Sequence, residues 1–247
     1  MKKINVVVWN EFVHEKQDEE VKAIYPDGLH ATIKSFLDNC DDMNVQIASL
    51  DEECQGLPDE LLENTDVLIW WGHVAHQKVS DQLVAKIQQR VYLGKMGFIA
   101  LHSAHHSKPF RAIVGTNGNL SWGRNQKEVI WNIMPQHPIA QGIPDHFCLE
   151  EEELYCEPFY IPQPDALLFI SWYEDGYVFR SGACFLRGAG KVFYFQPGHE
   201  TCRSFFNPYV QRIITNGIRW AAPSADMYEI PNGCPHVLSK ATDDFNN

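Results

Sequence analysis

The chain has 247 residues, of which 45% are hydrophobic, enough for one α/β domain with a large core. Its formal net charge of −12, without a basic stripe, disfavours binding to nucleic acid or to anionic membranes. No apolar run is as long as a membrane span, so we expect a cytoplasmic protein. Seven scattered cysteines without a C-x-x-C motif indicate reduced thiols, not a disulfide framework.

Buried-strand patterns alternate with helix patterns through the first hundred residues. We predict strands at Ile4–Trp9, Val45–Ala48, Asp66–Trp71 and Gly97–Leu101. The segment 10–15 is predicted as a loop. Helices are predicted from about Asp27 to Asn39, at Pro58–Leu62 and at Val79–Leu93. This β-α-β repetition favours a parallel sheet with crossover helices.

The second half of the chain is less regular. The stretch 107–143 is rich in Gly, Asn and Trp, with 115–119 as a loop. Strand patterns follow at Ala166–Trp172, Tyr177–Arg180, Ala183–Arg187 and Gly190–Gln196, with turns at 174–176 and 181–182. We expect the strands from Ala166 to Leu186 to extend the same sheet. A helix at Pro208–Trp220 closes the fold, and the irregular tail 223–247 is expected to wrap the surface or a partner chain.

Polar side chains follow four of the predicted strands, where open α/β sheets bind ligands. These residues are Glu11 and His14, His73 and His76, His102, His105 and His106, and His199 and Glu200. Imidazoles and carboxylates that converge in one cleft suit Zn²⁺ or another divalent transition metal. The same groups also suit general acid–base chemistry near neutral pH.

Other carboxylates and aromatics are weaker candidates for the same cleft. Glu150 and Glu151 read as a solvated face, whereas Glu153 and Glu157 lie next to aromatics and are candidates for a base or a ligand. Among the tryptophans, Trp9, Trp71 and Trp122 offer rings that can stack on the apolar face of a sugar.

Six stretches together resemble the trehalose-utilisation (ThuA-like) family. They are residues 71–76, 101–110, 137–139, 152–158, 179–182 and 197–200. The resemblance covers most of residues 4–221 and leaves out the tail. It implies a flavodoxin-like fold related to class I glutamine amidotransferases, with a mostly parallel sheet flanked by helices in a single domain 1–247. It also implies a role in the use of trehalose or a related disaccharide.

One departure from the amidotransferase pattern excludes an activity. A glutaminase of that class needs a Cys on the turn after the central strand, whereas this chain has His102 there. No thiolate at that position can attack an amide. The stretch 197–200 does resemble the strand end that supplies the amidotransferase His and Glu. We therefore predict that the chain does not hydrolyse glutamine.

The first functional hypothesis is a metal-assisted enzyme that acts on a sugar or a sugar derivative. A divalent ion, most simply zinc, would sit on His73, His76, His102 and His199 or a subset. Proton transfer would use His105, Glu157 or Glu200, and the carbohydrate would contact Glu11, His14, Trp71, Trp122 and Arg180. The expected partners are a small carbohydrate and, in a homo-oligomer, further copies of the chain.

Two alternatives stay open at this point. The chain could be a non-catalytic sugar-binding or regulatory protein that keeps an amidotransferase-like cleft. Ser103 could also act as a nucleophile with His105 or His199 as its base. This last hypothesis ranks lowest, because Ser103 falls one residue past the turn position.

Overall fold

The computed structural model describes residues 3–223, in which nine strands form one mixed sheet flanked by helices. The strands are β1 (Ile4–Asn10), β2 (Met43–Ser49), β3 (Val67–Trp71), β4 (Gly97–Leu101), β5 (Ser121–Asn132), β6 (His146–Cys156), β7 (Ala166–Tyr173), β8 (Val178–Arg187) and β9 (Gly190–Phe195). The helices are α1 (His14–Gln17), α2 (Glu19–Ile24), α3 (Leu29–Leu37), α4 (Asp59–Asn64), α5 (Asp81–Tyr92), α6 (Lys108–Val114) and α7 (Pro208–Ala221). The expectation about the tail lies outside the described residues, except for Pro223.

The first five strands of the sheet, in the order β2-β1-β3-β4-β9, are all parallel. Their residues are nearly all apolar, and β3 and β4 are buried along their whole length. Continuous apolar runs are typical of parallel strands covered on both faces. The four strands predicted in the first hundred residues are confirmed, with ends that move by one or two residues.

The other half of the sheet is antiparallel, in the order β9-β8-β7-β5-β6. The sheet is therefore mixed, and the expectation of a mostly parallel sheet holds for one half of it. Strands β8 and β9 are joined by only Gly188 and Ala189. A two-residue connection permits an antiparallel hairpin but is too short for the crossover that parallel strands need. The prediction that residues 166–186 extend the same sheet is confirmed.

Three local predictions are corrected. The turn predicted at 181–182 is the middle of β8, where Gly182 pairs with Phe195 and packs against the Phe169 side chain. The stretch 107–143 contains the long strand β5, whose polar residues include the buried Gln126 and Glu128. The loop predicted at 10–15 runs into α1.

The apolar core lies on both faces of the sheet. Helices α3 and α7 cover one face, where Ile33 and Ile214 pack against strand residues such as Ile99. Helices α4, α5 and α6 cover the other face, where Ile87 packs near Phe98. Within residues 3–223 no helix is long and apolar enough to cross a membrane, and the six described cysteines are free thiols.

The strand order reverses at β1, because β2 pairs on one side of it and β3 on the other. Open α/β sheets bind ligands at such a switch point, beyond the carboxyl ends of the strands. The loops that follow β1, β3, β4 and β9 meet along this edge. The fold therefore brings the predicted polar residues to one place.

Candidate active site at the carboxyl edge of the sheet

Four imidazoles and two carboxylates form a cluster at this edge. The loops after β1, β3, β4 and β9 supply five of the six residues, and β6 supplies the last from the antiparallel half. The members are His14, His73, His102, Glu153, His199 and Glu200. We call these six residues the donor cluster.

His102 begins the turn after β4 with a φ of 52°. A non-glycine residue in this left-handed region is uncommon and must be held there by its surroundings. Its Nδ1 lies 3.0 Å from the carbonyl oxygen of Gln196, which can only accept, so Nδ1 carries a proton. Its Nε2 lies 3.1 Å from Oε2 of Glu153 and 3.3 Å from the hydroxyl of Tyr155. The Nε2 edge of this buried ring therefore faces the cluster.

His199 is oriented from its outer edge. Its Nδ1 lies 2.8 Å from Oγ1 of Thr201, which accepts a hydrogen bond from Asn125 at 3.0 Å. Its Nε2 lies 3.8 Å from Oε1 of Glu153 and 3.6 Å from Oε1 of Glu200. The backbone N–H of Thr201 also donates to Nδ1 at 3.3 Å, so Thr201 fixes the orientation of the ring by two contacts.

The loop 197–200 is held from below by the buried carboxylate of Glu152. Its Oε1 accepts from the backbone N–H groups of Glu153 and His199, both at 3.0 Å. Its Oε2 accepts from the N–H of Gly198 at 2.8 Å and from the hydroxyl of Ser204. Four donors on one carboxylate set the direction in which the loop presents its two cluster residues.

Glu200 contacts three histidines of the cluster, His14, His73 and His199. Its Oε2 lies 3.0 Å from Nδ1 of His73, and its Oε1 lies 3.6 Å from Nε2 of His14. The ring centroids of His73 are 5.1 Å from His14, 5.9 Å from His102 and 5.6 Å from His199. His73 therefore occupies the middle of the cluster.

The donor atoms fall into three overlapping groups, and within each group all atoms lie within 4.8 Å of one another. The groups are His14–His73–Glu200, His73–Glu153–His199 and His102–His199–Glu200. Four buried donor atoms in the cluster lack an aligned hydrogen-bond partner. They are His14 Nε2, His73 Nδ1, Glu153 Oε2 and Glu200 Oε2. Each of the four atoms faces an imidazole or a carboxylate of the cluster at 3.0–3.6 Å, so together they could hold a ligand or an ion.

The donor set fits a zinc-type ion. Nitrogen and carboxylate ligands bind Zn²⁺ at about 2.0–2.2 Å, which places tetrahedral ligands roughly 3.4 Å apart. The contacts between imidazoles and carboxylates in the cluster span 3.0–3.8 Å. Three protein donors with a side open to solvent are typical of catalytic zinc sites.

Electrostatic interactions divide the cluster into charged and neutral members. Burial lowers the pKa of His102, but the hydrogen bond and charge of Glu153 outweigh it and raise the pKa to about 9. Burial raises the pKa of Glu200, but the hydrogen bond and charge of His73 bring it down to about 2. Burial and the charge of His102 lower the pKa of His199 to about 4. Without an ion, His102 is thus cationic and His199 neutral at pH 7.

A cavity of about 400 Å³ opens above the cluster. Its floor includes His73, Glu153 and His199. Its other lining residues are His76, Ser103, His105, His106, Asn119, Leu120, Trp122 and Tyr155. The Trp122 side chain is 72% exposed, so its ring is accessible at the cavity.

Two cavity imidazoles outside the cluster, His76 and His105, are held neutral by burial. Burial lowers the pKa of His105 to about 3, although the hydrogen bond to the Gly118 carbonyl acts in the opposite direction. The Nδ1 of His105 donates to this carbonyl, so its Nε2 is left as an acceptor. Gly118 has a φ of 67°, and a Cβ there would lie 2.2 Å from the His105 carbonyl oxygen, so this close approach requires glycine.

His76, one of the four histidines predicted as possible ligands, is not in any donor group among the described residues, whereas His73 is. It lies on the cavity wall beside His106, with ring centroids 5.9 Å apart. Burial lowers its pKa to about 4. Residues 73–74 form a bend and His76 begins a short 3-10 helix, and both imidazoles line the cavity.

Several predicted residues instead serve the framework. Glu11 accepts from the backbone N–H groups of Val74 and Ala75, and so shapes the loop that carries His73. Trp71 is 1% exposed and donates to the Gly198 carbonyl, so it offers no surface to a sugar.

Arg180 and Glu157 form a two-pronged ion pair, with N–O distances of 2.8 and 2.9 Å. Neither residue lines the cavity, so the structure does not bring Glu157 to the reacting region. Ser103 does line it, but its hydroxyl donates to the Gly72 carbonyl and not to an imidazole.

Sequence reasoning did not place three of the supporting residues. Thr201 and Gln196 lie outside the six stretches that carry the family resemblance, and Glu152 lies inside one of them without being predicted to support the loop 197–200. A β-bulge in β6 around Glu150 and Glu151 changes which side chains face inward.

The protein is an α/β protein with a mixed sheet and a histidine–carboxylate cluster at the carboxyl edge of its parallel strands. The chain belongs to the trehalose utilisation (ThuA) family, whose model matches residues 5–221. The resemblance expected from the sequence is confirmed.

Solved structures share this fold. A protein from Parabacteroides merdae ATCC 43184 described as ThuA-like has a TM-score of 0.68 and 16% identity, covering 89% of this chain and 90% of that one. One from Bacteroides uniformis ATCC 8492, also described as ThuA-like, has a TM-score of 0.63 and 16% identity, covering 89% and 91%. A cytoplasmic protein from Salmonella typhimurium LT2 has a TM-score of 0.60 and 11% identity, covering 89% and 100%. A comparison with curated proteins gives no match.

Proposed function

We propose that this protein is a metal-dependent enzyme that acts on a sugar or a sugar derivative in trehalose utilisation. The observation that carries the proposal is the convergence of buried imidazole and carboxylate donor atoms beneath an open cavity. Membership of the family supports the sugar role.

The inner group of the donor cluster, His102, His199 and Glu200, would hold the ion. When bound, a zinc-type ion polarises a hydroxyl or keto oxygen or lowers the pKa of a water molecule. Gln196 and Thr201 orient the two imidazoles from behind. This support matters because outer partners of metal ligands typically contribute 10–100-fold to metal affinity or activity.

Glu153 is the carboxylate best placed to move a proton. It lines the cavity, and it contacts both His102 and His199. Burial raises its pKa, but the hydrogen bond and charge of His102 outweigh burial and lower it, so Glu153 is ionised and can accept a proton. His105, predicted as catalytic, also lines the cavity and presents a neutral acceptor to a ligand hydroxyl.

The rest of the cavity suits a carbohydrate. Neutral imidazoles and the amide of Asn119 can exchange hydrogen bonds with hydroxyl groups. The exposed ring of Trp122 can cover the apolar face of a sugar. The volume of about 400 Å³ lies in the range of small-molecule sites.

We also infer that the scaffold is flavodoxin-like and related to class I glutamine amidotransferases. The parallel strands follow the order 2-1-3-4 and then β9, which corresponds to the flavodoxin order 2-1-3-4-5. The left-handed turn residue after β4 is His102, at the position where a glutaminase would carry its cysteine.

The test measures zinc and turnover on the same preparations. Metal-free protein is dialysed against zinc, analysed for bound metal, and assayed with trehalose, related disaccharides and their keto forms. We expect tight zinc binding and zinc-dependent turnover. His102→Ala should lose the zinc of the inner group and the turnover while keeping its fold.

His137→Ala is the matched control, because His137 caps a short turn far from the donor cluster. It should behave like wild type in both measurements. Wild-type protein that binds no zinc, or His102→Ala that keeps full zinc and turnover, would overturn the proposal. Sugar binding without turnover would instead identify a non-catalytic binding protein.

A further inference from the structure

We propose that the donor cluster binds two divalent ions bridged by Glu200, and that His14 is a ligand of the second, outer ion. The outer ion would sit on His14, His73 and Glu200, beside the inner ion on His102, His199 and Glu200. The inference rests on the proposed function, since the inner ion is the one proposed there.

The donor cluster is too long for one ion. His73 lies between His14 on one side and His102 on the other, with ring centroids 5.1 and 5.9 Å away. No donor group among the described residues contains both His14 and His102. An ion with bonds of about 2.1 Å reaches only donors that are at most roughly 4.2 Å apart. One ion therefore cannot collect the whole set.

A single ion also leaves buried donors unexplained. An ion on the middle group alone leaves His14 and His102 outside its set of ligands. Two ions on the outer and inner groups use all four imidazoles.

Glu200 has the geometry of a bridge. Its Oε2 faces His73 at 3.0 Å, while its Oε1 lies 3.6 Å from both His14 and His199. Paired catalytic ions are typically about 3.5–4 Å apart, a spacing that one carboxylate spans.

The local fold aims His14 at the cluster. The next residue, Glu15, is buried, and its Oε1 accepts from the amide of Asn10 at 2.6 Å and from the N–H of Leu29 at 3.1 Å. These bonds anchor α1 to the end of β1 and the start of α3. With Glu15 turned inward, His14 is held beside Glu200 although 22% of its side chain is exposed.

The experiment counts zinc and looks for a second ion next to the first. Metal-free wild type, His14→Ala, His14→Gln and His76→Ala are saturated with zinc, dialysed and analysed by mass spectrometry for metal per chain. Circular dichroism checks that each variant is folded. X-ray absorption at the zinc edge then detects a neighbouring metal at about 3.5–4 Å.

We expect wild type to bind two zinc ions with metal–metal scattering, and both His14 variants to bind one without it. His76→Ala, which changes a cavity histidine outside the donor groups, should still bind two. One zinc in wild type overturns this inference and leaves the proposed function standing, whereas none overturns both. Two zinc ions in both His14 variants overturn the assignment of His14.

Discussion

Replacing Glu152 by Gln tests how the loop 197–200 is held. An amide oxygen can keep the hydrogen bonds from the N–H groups of Glu153 and His199. The amide nitrogen then takes the place of Oε2, which accepts from the N–H of Gly198 at 2.8 Å in the wild type. Two donors then face each other, and the N–H of Gly198 loses its acceptor. A buried donor left without an acceptor costs about 1–3 kcal/mol. For a chain of this size each kcal/mol lowers Tm by about 2–4 °C, so we expect a loss of roughly 2–12 °C.

The assay is thermal unfolding of metal-free protein, followed by circular dichroism. Glu151→Gln is the matched control, because it makes the same chemical change at the exposed neighbouring residue. Exposed substitutions of this kind usually stay within about 0.5 kcal/mol. Because the loop carries two cluster residues, Glu152→Gln should also weaken zinc binding. If the two variants unfold at the same temperature, the carboxylate does not hold the loop and the reasoning is refuted.

Three further expectations follow from the site. Folded His105 stays neutral down to about pH 3, whereas an unfolded imidazole takes up a proton below about pH 6.5, so stability should fall as the pH drops below 6.5. His105→Asn can still donate to the Gly118 carbonyl but has no imidazole to titrate. In denaturant titrations it should reduce the pH dependence of the unfolding free energy by up to about 1.4 kcal/mol per pH unit. If wild type and variant lose stability in parallel as the pH drops, His105 is not the titrating group. Trp122→Ala should weaken trehalose binding measured by calorimetry about tenfold, or about 1.4 kcal/mol. Trp172→Ala is the control, because Trp172 is exposed outside the cavity lining, and it should bind trehalose like wild type. If Trp122→Ala and wild type bind trehalose equally well, Trp122 is not part of the site. Glutamine should release no ammonia, and release that is abolished by His102→Ala would show that the chain is a glutaminase after all.

The parallel half of the fold was predictable because its signal is local. A strand buried on both faces must be apolar throughout, so β3 and β4 stand out as runs bounded by polar residues. The strand ends then predicted where His73, His102 and His199 would meet, since parallel strands share one carboxyl edge.

The antiparallel half was harder to predict for a physical reason. Strand β5 is mostly polar, and its buried residues include Gln126 and Glu128, so it lacks an apolar signature. The carboxylate of Glu128 is accommodated by hydroxyls of Ser171 and Tyr173 on β7, which local sequence cannot reveal. The bulge in β6 likewise depends on its pairing with β5.

The amino-acid sequence by itself determined which residue types gather at the edge of the sheet, because strand burial and chain order are encoded locally. Only the tertiary structure decided what each of them does there. Glu11 and Glu157 were predicted as site residues, but Glu11 accepts hydrogen bonds from backbone N–H groups and Glu157 forms an ion pair with Arg180. Glu153 joins the cluster from the other half of the sheet, and Trp71 is buried under the loop after β9. A side chain's role at a loop is set by long-range contacts, and such contacts exist only once the strands have paired.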